Sequence, residues 1–216
     1  ASFAFKLQAV FLMPVFAVLL IAGKVKLRHF LVFPLTYVLL VLPAVIAGRP
    51  FLETLTLYLG QTGSIGDAMN YNSSSLFAIL DKVQNTDLAS KLSILAAFVF
   101  MLLVIAAAFF GRKRLTNRAI LGAAVLFAIG IPFLLPHMHD RYFFAADITA
   151  LIMAFAAFEF SPAAFFVQFG SLLGYHAYLK MRFFLPMRYG AWAMLLALAF
   201  ALAYFLSGFE EKNPEI

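Results

Sequence analysis

Long apolar runs dominate this chain and restrict what it can fold into. A membrane-spanning helix needs about 20 consecutive, mainly apolar residues, and seven segments come close to that length. With 64% hydrophobic and 12% charged residues, the chain is far more apolar than a soluble domain, in which roughly 25% of residues are charged. The sequence therefore predicts an all-α, polytopic transmembrane helix bundle. The predicted spans are 7–23, 30–47, 92–110, 119–135, 142–158, 163–179 and 190–206.

The first residues do not look like the beginning of a protein. Residues 1–6 contain no initiator Met, no basic segment and no small-residue cleavage site of the kind found in a signal peptide. The other end, beyond residue 208, turns abruptly polar and resembles a true C-terminus. We therefore expect residues 1–216 to form a single transmembrane domain that is truncated at its N-terminus.

The net charge of +6 comes mainly from short clusters of Lys and Arg beside the apolar runs. This placement is typical of topology signals and of contact with anionic lipids. We therefore expect membrane lipids, and not nucleic acid, as partners. The absence of cysteine also excludes disulfide bonds and thiolate metal sites within the sequence.

The charge pattern gives a topology with one conflict. The short basic loops 24–28 and 112–118 are predicted to be cytoplasmic, which places the long loop 48–91 and the polar motif 136–147 on the outer side. Counting the predicted spans onward puts the basic loop 180–188 on the outer side as well, although the positive-inside rule predicts a cytoplasmic location for a basic loop. Two explanations stay open: one of the short segments between 142 and 179 is re-entrant, or the basic outer loop holds a phosphate group.

The outer loop is expected to contain short helices of its own. Apolar residues recur at helical spacing over 51–58 and again over 76–83, which favours two interfacial helices. One of the serines at 73–75 is expected to cap the second helix by accepting a hydrogen bond from its first turn.

The densest polar cluster lies at residues 136–144, between two apolar runs. Keeping charged groups at the end of a membrane span away from water costs free energy. Such a cluster is therefore a candidate functional site. Arg141 offers a planar fork for phosphate or carboxylate, His139 can carry a proton near neutral pH, and Asp140 can hold either in place. The alternative is a self-contained ion pair of Asp140 with Arg141.

Metal binding is a weaker interpretation of the same cluster. His137 and His139 are weak candidate ligands, with Asp140 and Asp147 as possible carboxylates. No second cluster of His or carboxylate residues is conspicuous in the sequence, so we expect no metal and no other cofactor. Asp147 falls within an apolar run and needs a partner, for which Arg141 is the candidate.

Neutral polar residues form another candidate group in the outer loop. Gln61, Asn70 and Asn72 supply hydrogen-bond donors and acceptors, while Tyr58 and Tyr71 supply aromatic faces. The mixture suits sugar hydroxyls and rings, but it is equally normal for a loop in water.

Several short motifs occur in a fixed order: 5–8 before the first apolar run, 47–50 after the second, Tyr58 with Gln61, 70–72, and His139-Asp140-Arg141-Tyr142 followed by Asp147. Together they resemble the C-terminal half of predicted bacterial membrane mannosyltransferases related to the glycosylphosphatidylinositol mannosyltransferases, in the GT-C glycosyltransferase superfamily. The family commonly has Glu where this chain has Asp140, which shortens the reach of the carboxylate.

This resemblance implies an enzyme of the bacterial inner membrane. Such enzymes transfer a sugar, here mannose as first candidate, from a polyprenyl-phosphate donor to an acceptor on the outer face. Their general base is an acidic residue in the first outer loop, which would precede residue 1. We therefore expect no catalytic residue in this chain, and we expect the missing N-terminal half or a partner membrane subunit to supply the base.

The resemblance also implies binding roles for the polar residues. Arg141 is expected to bind the donor phosphate, and its neighbours His139, Asp140 and Tyr142 to orient the donor or acceptor. The remaining candidates are Gln61 and Asn72 for sugar or loop contacts, and Arg182 and Arg188 as secondary phosphate ligands if their loop lies outside.

Two other function classes stay open. A transporter or flippase half should show broken helices with charges near the bilayer midplane, and the Glu and Pro within 159–162 are the feature that favours it. The charges otherwise gather at the ends of the apolar runs, which favours an enzyme working at the interface. A noncatalytic scaffold subunit would tolerate substitutions in the polar cluster.

Overall fold

A computed structural model describes residues 7–56, 68–80 and 82–209. These residues are mainly helical, with two strands of two residues each, which confirms the predicted all-helical class. The α-helices of the described ranges are α1 (Val15–Ile21), α2 (Val32–Ile46), α3 (Phe51–Leu55), α4 (Thr86–Phe110), α5 (Asn117–Leu134), α6 (Phe144–Ala156), α7 (Ser161–Lys180) and α8 (Met187–Ser207). The strands are β1 (Asn70–Tyr71) and β2 (Met138–His139). Short 3-10 turns include Leu7–Leu12, Leu27–Leu31, Leu76–Ala78, Arg112–Arg114, Asp140–Phe143 and Phe158–Phe160.

Four helical segments of the described residues are long and apolar enough to cross a membrane. This is the composition of a membrane protein, because such segments satisfy every backbone hydrogen bond internally while exposing apolar side chains. The prediction of seven spans is not confirmed. The four segments are Leu27–Ile46, Thr86–Phe110, Asn117–Leu134 and Met187–Ser207.

The other three predicted spans differ from these for separate reasons. The first contains an apolar helical stretch, Ala9–Ile21, that is shorter than a span requires. The fifth contains only the 13 residues of α6. The sixth lies in α7, which has 20 residues, but its mean hydropathy is reduced by Gln168, Ser171 and His176.

Helix α5 lies at the centre of the bundle. It packs against α1, α4, α6 and α8, and 67% of its residues are buried, against 6% for Leu27–Ile46. Close packing requires small residues here: a Cβ atom on Gly122 would lie only 2.6 Å from the Cα atom of Phe205. Helix α2 instead leaves only Val41 buried.

The two ends of the bundle are fixed by contacts between loops. At one end, Arg118 near the start of α5 forms an ion pair of 3.1 Å with Glu159, between α6 and α7. At the same end, the Thr116 hydroxyl donates a hydrogen bond of 2.7 Å to the Gly208 carbonyl oxygen, just beyond α8. We call this the Arg118 end.

The opposite end holds both the polar motif 136–143 and the basic loop 180–188. Helix α6 runs from the motif to the Arg118 end and α7 returns, which brings the basic loop 180–188 to the same end as the motif. Both explanations offered by the sequence, a re-entrant segment and a basic outer loop that holds a phosphate group, stay predictions.

The prediction for the outer loop is only partly right. Helix α3 is present, but it has five residues. The second interfacial helix is wrong: Leu76–Ala78 forms only a 3-10 turn, and Phe77 is buried against the bundle instead of lying on its surface. The predicted serine cap is absent too, since Ser75 at the cap position makes no side-chain hydrogen bond to this turn.

Candidate functional site

Two segments that are distant in sequence meet at the end opposite Arg118. Strands β1 and β2 pair in parallel, with Asn70 opposite Met138 and Tyr71 opposite His139. The backbone N–H of His137 extends this pairing by donating to the Met69 carbonyl oxygen at 2.9 Å. We call residues 68–75 and 136–143 together the junction. It brings the predicted polar motif against the described part of the outer loop.

His137 holds the two segments together. Its backbone is left-handed, with a φ of 59°, which turns the chain directly after Pro136. Its Nδ1 atom lies 2.8 Å from the Ala68 carbonyl oxygen, and its Nε2 atom lies 3.4 Å from the Ser90 hydroxyl at the start of α4. Both ring nitrogens are thus engaged within the fold, which argues against the weak assignment of His137 as a metal ligand.

Aromatic rings line one side of the junction. The Tyr71 and His139 rings are stacked, with centroids 4.6 Å apart and an interplanar angle of 13°. His139 also meets the edge of Tyr142 at 5.4 Å, and Tyr142 in turn meets Phe11 at 6.0 Å. Partial burial, followed by the nearby positive charge of Arg141, lowers the pKa of His139, while the charge of Asp140 opposes the shift. The imidazole is therefore neutral at pH 7 and suited to stacking.

Asp140 is buried where the junction meets α7. It is only 7% exposed, and it packs over Gly174, where an added Cβ would lie 3.2 Å from the Asp140 Cβ atom. The same added Cβ would lie 2.7 Å from the Asn72 carbonyl oxygen. Both junction segments therefore rest on the bare backbone of α7 at Gly174, and no larger residue fits there.

A second close approach lies one helical turn away. The buried Ser74 hydroxyl donates a hydrogen bond of 2.7 Å to the Gly170 carbonyl oxygen, and it also lies against Gly190 of α8. Sequence reasoning missed these positions. The signal was available, since Gly170 and Gly174 form a Gly-x-x-x-Gly pattern, which marks close backbone approach between membrane helices.

Arg141 lies at a cleft of about 510 Å³ between α6 and α7. Its side chain is exposed, and it makes no hydrogen bond or ion pair with any residue in the described ranges. The two partners proposed from sequence, Asp140 and Asp147, are therefore both wrong for Arg141. The cleft, which we call the Arg141 cleft, is lined by Arg141, Phe144, Asp147, Ile148, Leu151, Gln168 and Tyr175.

Asp147 finds its partners on α7 instead. The Tyr175 hydroxyl donates a hydrogen bond of 2.9 Å to Asp147 Oδ2, and the Gln168 side-chain amide donates to the Asp147 backbone oxygen at 3.2 Å. Asp147 Oδ1 is inaccessible to solvent and makes no hydrogen bond within the described residues. This network ties α6 to α7 and leaves Arg141 as the cation of the cleft.

A second cleft, of about 720 Å³, lies between the junction and the basic loop. Arg188, Asn70 and Asn72 are its polar residues, so we call it the Arg188 cleft. The Asn70 side chain is occupied locally, because its amide nitrogen donates to the Ser73 carbonyl oxygen at 2.8 Å and its oxygen accepts from the Ser73 N–H at 2.7 Å. The remaining lining residues are Phe77, Ala78, Phe183, Phe184, Leu185, Pro186 and Met187.

The predicted site residues therefore fall into separate groups. His139 and Tyr142 form the aromatic side, Asp140 is buried, Arg141 lies at one cleft, and Asn72 and Arg188 line the other. Arg182 lines neither cleft. Gln61 lies outside the described residues. Within the ranges that the structure covers, no group of three or more His, Cys, Asp or Glu side chains is arranged to hold a metal.

No family model, curated protein or solved structure matches this chain.

Proposed function

We propose that this chain is part of a membrane glycosyltransferase that transfers a sugar, with mannose as first candidate, from a polyprenyl-phosphate donor to an acceptor. The observation that carries the proposal is Arg141, an exposed cation without an ionic partner among the described residues, at the mouth of an apolar cleft. A phosphate on a long hydrocarbon chain has the matching chemistry.

The Arg141 cleft suits both parts of such a donor. Phe144, Ile148 and Leu151 share one face of α6 below Arg141, and all three are exposed. A hydrocarbon chain lying along them would remain in the apolar layer of the membrane while its phosphate reached the guanidinium. Arg is well suited to this contact, because its planar fork can donate two parallel hydrogen bonds to phosphate.

The neighbouring groups suit the sugar and its transfer. A neutral His139 ring stacked on Tyr71 presents aromatic surface next to Arg141, and the Asn72 carbonyl oxygen lies with Asp140 against Gly174. As the bond between sugar and phosphate breaks, negative charge grows on the leaving phosphate, and a fixed cation stabilises that charge. The general base is assigned to a segment or subunit beyond this sequence, so the residues here bind and position.

The side of the membrane follows from charge. Arg112, Lys113, Arg114 and Arg118 cluster at the Arg118 end, which favours a cytoplasmic location for that end. The junction then faces outward, in a bacterial cell toward the periplasm across the inner membrane. A flippase or transporter is less well supported, since Glu159, the acidic group in the break between α6 and α7, pairs with Arg118 at the end of the bundle.

The proposal is tested by following labelled sugar from polyprenyl-phosphate mannose into lipid or protein acceptors, using membranes of the native cells that contain the Arg141→Ala variant. Loss of one electrostatic contact to a transition state typically costs ~2.7–4 kcal/mol, or roughly 10²–10³-fold in rate. We expect that loss with the thermal midpoint unchanged. Arg112→Ala, an exposed Arg at the opposite end, is the matched control and should retain transfer. Normal transfer by Arg141→Ala would reject the assignment.

A further inference from the structure

An aromatic groove of about 440 Å³ runs along the outside of the bundle between α7 and α8. Its wall consists almost entirely of apolar surface, including Phe165 and Phe169 from α7 and Tyr189 and Trp192 from α8. Trp192 and Phe165 are both more than half exposed. We call this feature the aromatic groove. It is separate from the Arg141 cleft, which lies between α6 and α7 and shares none of these residues.

The aromatic groove continues into the Arg188 cleft. Leu185 lines both, so the apolar and polar cavities adjoin at the start of α8. Arg188 supplies the positive charge of the polar part, and it forms no ion pair with any residue that the structure describes. Its guanidinium lies 5.5 Å from the ring centroid of its own neighbour, Tyr189. The cation is thus exposed at the top of an apolar channel.

The spacing along α8 places a cationic side chain and apolar side chains on one line. Trp192 follows Arg188 by four residues, so the two occupy the same helix face about 6 Å apart along the axis. Leu196 lines the groove one further turn along. A molecule bound here would meet a cation first, then an aromatic wall, then an aliphatic one. A membrane lipid has that order of parts.

We propose that this continuous surface binds one lipid with a net negative headgroup, whose phosphate contacts Arg188 and whose acyl chain lies in the aromatic groove. The inference needs only that the chain is embedded in a membrane, and it does not rest on sugar transfer. The simpler alternative is that Tyr189 and Trp192 belong to the aromatic belt that many membrane proteins place at the interface. An aromatic belt would show no preference between anionic and zwitterionic lipids.

Trp192 provides a direct test, because it is the single tryptophan of the sequence. The full chain is reconstituted into vesicles of phosphatidylcholine and phosphatidylglycerol, in which one lipid or the other carries brominated acyl chains that quench nearby tryptophan. The ratio of tryptophan quenching by the two brominated lipids gives the preference of the groove for phosphatidylglycerol over phosphatidylcholine. An Arg near a charged membrane surface favours an anionic lipid by roughly fivefold, and we expect a preference of that order for phosphatidylglycerol.

Two arginine variants separate the groove from general surface charge. Arg188→Ala should reduce the preference to near one. Arg182→Ala removes the same charge from the same loop, but Arg182 lines neither the Arg188 cleft nor the aromatic groove, so this variant should retain the preference. Equal quenching by both lipids in the unmodified protein would overturn the proposal. An equal loss in both variants would overturn it as well, because the preference would then belong to the loop's overall charge. Neither outcome bears on Arg141, since no sugar donor is present.

Discussion

Arg118 and Arg141 lie at opposite ends of the same bundle and differ in what surrounds them. The Arg118 guanidinium contacts Glu159 at 3.1 Å and lies over the rings of Phe160 and Tyr204, at 5.3 and 4.9 Å from their centroids. Arg141 has no such contact with any described residue. The same residue type is therefore held by contacts within the fold at one end and is exposed without such contacts at the other.

The backbone shows the same difference. Thr116 caps α5 in the ordinary way, by accepting a hydrogen bond from the Ala119 N–H, and also donates to the Gly208 carbonyl. The junction instead contains two left-handed residues, Asn72 and His137, and buries Asp140. Non-glycine residues in this conformation are uncommon and concentrate at functional sites. The comparison is a reason to treat the junction as a candidate functional site.

The largest expected effect comes from filling the space at Gly174. A Cβ atom there would lie 2.7 Å from the Asn72 carbonyl oxygen, and overpacking of this kind costs about 1–3 kcal/mol. We expect Gly174→Ala to lower the thermal midpoint in detergent and to reduce sugar transfer by displacing the junction. Leu172→Ala, an exposed change in the same helix, is the control. A Gly174→Ala protein with an unchanged midpoint would show that the junction does not rest tightly on α7.

Removing Arg118 should separate stability from activity. Arg118→Ala loses a partly exposed ion pair and two ring contacts, which together are worth about 1–2 kcal/mol after allowance for solvent screening. We expect a lower thermal midpoint with sugar transfer retained at permissive temperature. If transfer fails while the midpoint is unchanged, the contrast between the two arginines is wrong.

A smaller effect is expected from the aromatic stack. Tyr71→Leu removes the ring stacked on His139, an interaction worth about 0.5–1.5 kcal/mol. It also removes the hydroxyl that accepts a hydrogen bond of 3.2 Å from the Ala68 N–H. The thermal midpoint should fall by a few degrees. Phe155→Leu, a highly exposed position in α6, serves as the comparison and should change little. Equal midpoints for Tyr71→Leu and the unmodified protein would mean that the stack does not stabilise the junction.

The smallest effect is the pH dependence from His139. Because its pKa is lowered in the folded protein, the folded state binds fewer protons than the unfolded state between that lowered pKa and 6.5. The contribution of His139 to the free energy of unfolding is therefore constant above pH 6.5 and decreases as the pH falls through that window. His139→Gln should remove this component, measured as the difference in thermal midpoint between pH 7.5 and 5. A His139→Gln profile identical to the original would place the dependence on another group.

Much of the architecture could be read from the sequence. The helical class and the apolar, membrane-spanning character of the longest helices follow from composition. The exposure of Arg141 does not, because the sequence suggested Asp140 or Asp147 as its partner. The number of spans could not be read from the sequence, because a count of apolar residues does not show how short two of the helical stretches are: Ala9–Ile21 and the 13-residue α6. Both depend on where the chain must turn.

The junction itself could not be predicted. The pairing of Tyr71 with His139 joins strands of two residues each, which are too short to leave a periodic pattern. The partner of Asp147 was also missed, since Tyr175 is 28 residues away and becomes a neighbour only when α7 folds back on α6. The Gly-x-x-x-Gly pattern of Gly170 and Gly174 is the sequence feature that could have predicted the close approach of the junction to α7.

The most direct test of the central claim is binding of a polyprenyl phosphate without sugar, measured by thermal stabilisation of the purified full chain and its two arginine variants. A ligand at 100 times its Kd adds about 2.7 kcal/mol to the stability of the state it binds. The account predicts an upward shift in midpoint for the unmodified protein, an equal shift from a lower starting value for Arg118→Ala, and no shift for Arg141→Ala. A full shift for Arg141→Ala would contradict it.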